Sequence, residues 1–126
     1  MGKQEMNILL DTNIVIYFLK GEKKVVENVR KAENIAISFI TEIELNCYDA
    51  EPDEMKKISS FLQQIEIFYP VPETVKHTIN IRKSTGLKLP DAIICAQSLQ
   101  HNYTLFSNDK KILNKPLEMK AINPLR

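Results

Sequence analysis

The sequence predicts a single α/β domain in which helices cover both faces of a central, mostly parallel sheet, giving three layers. Three observations carry this. Short apolar runs alternate with segments whose apolar residues recur every three or four positions, the pattern of strand–helix–strand units. The chain has 126 residues, 44% of them hydrophobic and 26% charged, which suits one packed core in an ordinary globular domain. No internal repeat, linker or low-complexity stretch divides it, so the expected domain spans residues 1–126.

The elements follow in order. Residues 6–10, Met-Asn-Ile-Leu-Leu, read as a buried strand that stops abruptly at Asp11. Residues 12–19 read as a helix closed by Lys20 and Gly21, a cation at the negative helix end and a glycine for the left-handed turn after it. Val25, Val26 and Val29 mark a second helix with charged outer positions. Residues 35–40 read as the second strand, after which Thr41 opens a helix and Thr41-Glu-Ile-Glu44 fits a capping box. Met55, Ile58, Phe61, Leu62 and Ile65 recur at helical spacing, in an amphipathic helix begun at Pro52-Asp53. Residues 65–69 alternate as a third strand, stopped by Pro70 and Pro72. A helix over residues 73–84 ends near Gly86, and Pro90-Asp91 opens the most apolar helix, which runs through Leu99. Residues 103–106 read as a strand, 109–113 as a short helical turn and 118–122 as the last strand.

Composition excludes several classes. Seventeen Lys plus Arg against sixteen Asp plus Glu leave a formal charge of +1, so no strong overall field points at nucleic acid or membrane. A nucleic-acid partner therefore needs locally clustered charge. Cys47 and Cys95 lie in apolar patterns without a second Cys or His at ligand spacing, and both are expected to be small buried hydrophobes in a reducing compartment. The longest strictly apolar run, residues 14–19, falls far short of the roughly 20 residues of a membrane span. The N-terminus lacks the apolar core of a signal peptide, and Met6 stands where a myristoylation signal at Gly2 requires Ser or Thr. A cytoplasmic protein without membrane association is expected.

Chemistry in an open parallel sheet gathers beyond the carboxyl ends of the strands. Four acids fall just past an expected strand or at the start of an expected helix: Asp11, Glu44, Asp91 and Asp109. Strands running one way bring such residues to one edge, where four carboxylates repel one another. A hard divalent cation neutralises them, and oxygen-only ligands select Mg2+ or Mn2+ over Zn2+. Helix N-termini favour acids in any case, so each residue singly has a capping explanation. Thr41, Ser107 and Asn108, however, supply capping oxygens beside the acids, and capping then does not require the carboxylates.

The same residues carry a resemblance. Asp11-Thr-Asn13 after a short strand, Thr41-Glu-Ile-Glu-Leu45, Leu89-Pro-Asp-Ala92 and Ser107-Asn-Asp109 resemble the four signature blocks of PIN-domain ribonucleases. The nearest likeness is to the single-domain VapC-like toxins of bacterial toxin–antitoxin pairs, and it extends to the late Ile122-Asn-Pro124. It implies a PIN-like fold, an acidic site of Asp11, Glu44, Asp91 and Asp109 that binds Mg2+ or Mn2+, and polar support from Asn13 and Ser107. Glu42 is the alternative to Glu44, whose pairing with Leu45 matches the family better; Asp109 is the ligand a three-acid site omits. The implied reaction is metal-assisted hydrolysis of an RNA phosphodiester, with a small antitoxin as partner and a homodimer as the assembly.

RNA binding requires cations around the acids. Arg82, Lys83 and Lys88 flank Asp91 in sequence, while Lys110 and Lys111 flank Asp109, where they can hold phosphates by charge. Tyr17, Tyr48 and Tyr103 are candidates for stacking on unpaired bases, against a plain packing role. His77 and His101 lie on expected helices and are not needed for the chemistry. Two other classes compete: a receiver-type phosphoacceptor domain, which would label with acetyl phosphate, and a catalytically silent PIN-like scaffold, which would leave labelled RNA intact with or without Mg2+. A receiver requires a pair of acids after its first strand, whereas Asp11 is followed by Thr12 and Asn13.

Overall fold

A computed structural model of the chain describes residues 6–126, so Gly2 and the expectation attached to it lie outside the described residues. The elements run β1 (Asn7–Leu10), α1 (Thr12–Leu19), α2 (Lys23–Arg30), β2 (Asn34–Ser38), α3 (Phe39–Cys47), α4 (Pro52–Gln64), β3 (Glu66–Phe68), α5 (Pro72–Thr85), α6 (Leu89–His101), β4 (Thr104–Phe106), α7 (Lys110–Leu113) and β5 (Ala121–Ile122). The sheet order is β3-β2-β1-β4-β5 and every pairing is parallel. A receiver-type domain has the order 2-1-3-4-5, so the topology removes that alternative.

Alternation along the strands builds the layers. In the register of the sheet Leu9 lies beside Ala36 and Leu105. These three point into a core with Ala92, Cys95 and Ala96 of α6 and Ile81 of α5. Ile8, Leu10, Ile37 and Phe106 point to the other face, against Ile14 and Val15 of α1, Val25 and Val29 of α2, Leu45 of α3 and Ile58 of α4. Small residues on α6 let that helix lie close over the central strands. Among the described residues no helix is long and apolar enough to cross a membrane.

Element boundaries differ from expectation in places that bear on the site. The second strand ends at Ser38, and α3 begins at Phe39 rather than Thr41. Ser38 is the N-cap: its extended backbone lets its hydroxyl accept the Ile40 N–H at 3.1 Å. The capping box expected at Thr41 therefore does not form, and Thr41 turns into the interior one helical turn on, fully buried. The last strand shrinks from 118–122 to Ala121–Ile122, because β4, its partner, is three residues long and starts bonding at the Lys120 carbonyl. Ile65 caps α4 instead of opening β3.

Gly86 ends α5 in the left-handed region at φ +72°. A Cβ there meets nothing within 4 Å, so only backbone strain opposes a side chain. Gly86→Ala is expected to cost about 1 kcal/mol in urea denaturation, with native activity retained.

Candidate active site

β1 and β4 lie side by side, one leading to β2 and β3 and the other to β5, which makes the gap beyond their ends the topological switch point. Leu10 pairs with Phe106, and the N–H of Asp11 donates to the Phe106 carbonyl at 3.0 Å. Asp11 is thus fixed where the two central strands stop. Its Oδ1 accepts the Thr12 N–H at 2.9 Å, capping α1, and its Oδ2 accepts the Ser107 hydroxyl at 2.7 Å. Ser107 is wholly buried and accepts in turn from the Asp109 N–H at 3.0 Å. Asp109 caps α7, its Oδ1 accepting the Lys111 N–H at 2.9 Å.

Asp11 and Asp109 therefore do act as caps, contrary to the expectation that neighbouring hydroxyls would relieve them. The reason is spatial: the Ser107 hydroxyl is spent joining Asp11 to Asp109. Each acid still has oxygen lone pairs to spare, because a carboxylate accepts about four hydrogen bonds. Ser107→Ala strands the Asp109 N–H and one Asp11 oxygen, and is expected to lower stability by about 1–2 kcal/mol in urea titration.

The other acids come from helices. Glu44 is exposed on the second turn of α3, and its Oε1 lies 2.7 Å from the Thr12 hydroxyl. Glu42, the alternative, faces away, accepting the Tyr69 hydroxyl at 2.8 Å beyond the end of β3. Asp91, half-buried, stands in the first turn of α6, one turn before the buried Cys95.

Electrostatics tie the four acids together. Burial raises the Asp11 pKa above its ordinary value; the Ser107 and Thr12 hydrogen bonds pull it back, and the Asp91 and Glu44 charges push it further up. Asp91 is also raised, first by burial and then by Asp109 and Glu44, with Lys111 and Lys88 opposing. The Cys95 thiol is pushed up to about 12 by burial and then by Asp11, Asp91 and Asp109. It stays a neutral thiol, so it offers no thiolate to a metal.

Among the described residues the one ion pair, His77 with Glu73 at 3.5 Å, lies elsewhere on α5. Among the described residues the four acids have no salt-bridge partner, and no three His, Cys, Asp or Glu side chains are drawn to the spacing of ligands around one ion. The result is a cluster of mutually repelling carboxylates with two lysines in range. That donor set fits a hard divalent cation.

The remaining sequence candidates divide. Lys88, at the N-cap of α6, and Lys111 of α7 are close enough to act on Asp91. Arg82 and Lys83 lie exposed in the last turn of α5, and Lys110 is exposed at the start of α7. Asn13 is exposed on the first turn of α1 and shares no hydrogen bond with the acids. His101 stacks on Phe68 with ring centres 3.7 Å apart, and Tyr103 meets the same ring edge-on at 5.1 Å, which is packing. Cys47 is exposed, not buried as expected. The inward positions of α3 are Thr41 and Leu45, and two residues past Leu45 the helix faces solvent. Sequence reasoning passed over the roles of Thr12 and Thr41. The signal available was the three-residue spacing of Thr41 and Glu44, which puts them on one helix face.

A parallel-sheet domain with an acidic cluster at its switch point defines the class. A model of the family described as the PIN domain matches residues 8–116, and the chain belongs to that family. No curated protein sequence matches it. Among solved structures it is similar to a chain of a toxin–antitoxin complex from Klebsiella pneumoniae, at 25% identity over 94% of this chain and 98% of that one, with a TM-score of 0.80. VapBC2 from Rickettsia felis, bound to a DNA fragment from its promoter, is similar at 22% identity over 94% and 98% of the two chains, TM-score 0.78. VapBC-1 from nontypeable Haemophilus influenzae follows at 22% identity over 96% and 100%, TM-score 0.73. At 22% identity the last two speak to the fold alone.

Proposed function

We propose that the chain is the toxin of a toxin–antitoxin pair and a metal-dependent endoribonuclease that acts in the cytoplasm. What supports this most is that Asp11, Glu44, Asp91 and Asp109, borne by different elements, stand near enough for their charges to push the Asp11 and Asp91 carboxyls up, with no ion pair to them among the described residues. Stability alone does not call for such an arrangement, since raised carboxylate pKa values mark sites where function overrides it. The family and the toxin–antitoxin neighbours support the biological role.

Asp11, Asp91 and Glu44, with Asp109 at the rim, are the residues to hold Mg2+ or Mn2+, which when bound supplies water activation and stabilisation of the leaving oxygen. Asp11 serves as a rigid anchor because two hydrogen bonds and the β1–β4 pairing fix it. Asp91 contributes its carboxylate from the first turn of α6. Glu44, the most exposed of the three, orients the attacking water and takes up its proton. Lys88 and Lys111 hold the phosphates on either side of the scissile bond.

An antitoxin segment that places an Arg or Lys among the acids would occupy the same site. A second copy of the chain is proposed on the apolar face formed by Ile43 of α3, Tyr69, Val75 and Ile79 of α5 and Leu89 of α6, all more than a third exposed. Val75→Lys is expected to shift the chain from dimer to monomer in light scattering at micromolar concentration, and an unchanged mass contradicts that surface. The functional reading is tested by expression without antitoxin. The native chain arrests bacterial growth and the Asp11→Asn chain does not; a harmless native chain, shown to be folded and expressed, refutes the toxin role.

A further inference from the structure

Glu44 poses a physical problem. Its side chain is long and exposed, it stands near Asp11 and Asp91, whose charges repel it, and among the described residues no cation lies at salt-bridge distance. Left free, it would swing toward water. One contact opposes this: the Thr12 hydroxyl, 2.7 Å from Glu44 Oε1. At that length it is a short, charge-assisted hydrogen bond.

The direction of the bonding is determined. A threonine hydroxyl has a single proton, and at Thr12 it goes to the carboxylate, which has none to give. The Thr41 hydroxyl lies 3.1 Å from the same Thr12 oxygen and is fully buried. Thr41 therefore donates to Thr12, and Thr12 donates to Glu44. Thr12 also touches the other acid, since its backbone N–H is held by Asp11 Oδ1 at 2.9 Å. One residue thus grips carboxylates from the end of β1 and from α3 through two separate donors. Its branched Cβ leaves the hydroxyl little rotational freedom.

We infer that Thr12, backed by Thr41, is a positioning residue that holds Glu44 against Asp11 so that both carboxylates serve the same cation. This rests on the metal-site reading above. In this role Thr12 acts on the cation through Glu44, whose carboxylate it holds. The relay also accounts for the fully buried hydroxyl at Thr41 in a helix face otherwise committed to Leu45.

The test is a calorimetric titration of Mn2+ into the purified full chain and five variants, each checked for native circular dichroism. Thr12→Val removes the hydroxyl at nearly constant shape and is expected to weaken Mn2+ binding about 10- to 100-fold, the usual cost of losing a group that orients a ligand. Thr12→Ser keeps the proton and should bind within about twofold of the native chain. Thr41→Val, which leaves the Thr12–Glu44 bond in place, should fall between them. The combined Thr12→Val/Glu44→Gln chain should bind no more weakly than Glu44→Gln alone, because both changes disable one ligand. Native affinity in Thr12→Val, or losses that multiply in the combined variant, overturns the positioning role while leaving the metal site standing. A native chain that takes up no Mn2+ overturns both.

Discussion

RNA cleavage by the Asp11→Asn, Glu44→Gln and Asp91→Asn chains is expected to fall by at least about 100-fold each, measured as initial rates on end-labelled RNA in saturating Mg2+. These changes keep size and polarity and remove one charge. Asp11→Asn is the most informative of them, because an amide oxygen still accepts the Thr12 N–H and Ser107 can rotate to accept from the new amide. Any loss then reports charge and ligation rather than a collapsed strand end. Pairs of these substitutions should lose little more than the worse single one, since ligands of one cation act as a unit. Native rates for all three would reduce the acids to helix caps.

The metal-free fold is expected to become more stable when Asp91 is neutralised. Two effects oppose each other at this position. The first turn of α6 favours a negative charge by about 0.3–1 kcal/mol, whereas burial and the carboxylates of Asp109 and Glu44 disfavour it. Burial and these two carboxylates push the Asp91 carboxyl up against the pull of Lys111 and Lys88, the direction of the second effect. Asp91→Asn should therefore melt above the native chain without metal, by about 1 kcal/mol or about 3–5 °C after allowance for its partial exposure. With saturating Mg2+ the order should narrow or reverse, because the intact site alone gains the full binding free energy.

The pH dependence follows the same sign. Asp11 and Asp91 both titrate above the ordinary 3.8 in the folded chain. Between that value and their raised values the native state binds more protons than the unfolded chain. The stability these groups contribute is complete below 3.8 and is lost as pH rises through the folded values. In metal-free melts the advantage of Asp91→Asn should thus shrink as pH falls toward 3.8. An Asp91→Asn chain less stable than native with and without metal would mean that the helix N-terminus governs this position.

Much of this molecule was legible in its sequence because apolar periodicity reports burial directly. The strand expected over residues 6–10 forms over Asn7–Leu10, the spacing of Met55, Ile58, Phe61 and Leu62 folds as a helix, and the apolar helix expected from Pro90 begins one residue earlier at Leu89. The strand-end rule brought out the four acids before any coordinate. What escaped was decided by contacts between distant segments. Ser38 outcompeted Thr41 as the cap of α3 because a strand end sets its backbone angles, which propensity does not report. Thr12 and Thr41 are 29 residues apart in the chain and meet only because β1 and β2 are neighbours. Cys47 lies beyond the last inward position of its helix, so its apolar neighbours in sequence misrepresent its exposure. The short β5 depends on the length of β4, a property of the partner strand.

The most direct measurement of the metal-dependent nuclease reading is cleavage of single-stranded RNA by the purified native chain after chelation. In excess EDTA no product should form, and Mg2+ or Mn2+ added beyond the chelator should restore cleavage in full, with the Asp11→Asn chain silent throughout. Undiminished cleavage in EDTA, or equal cleavage by the Asp11→Asn chain, would contradict it.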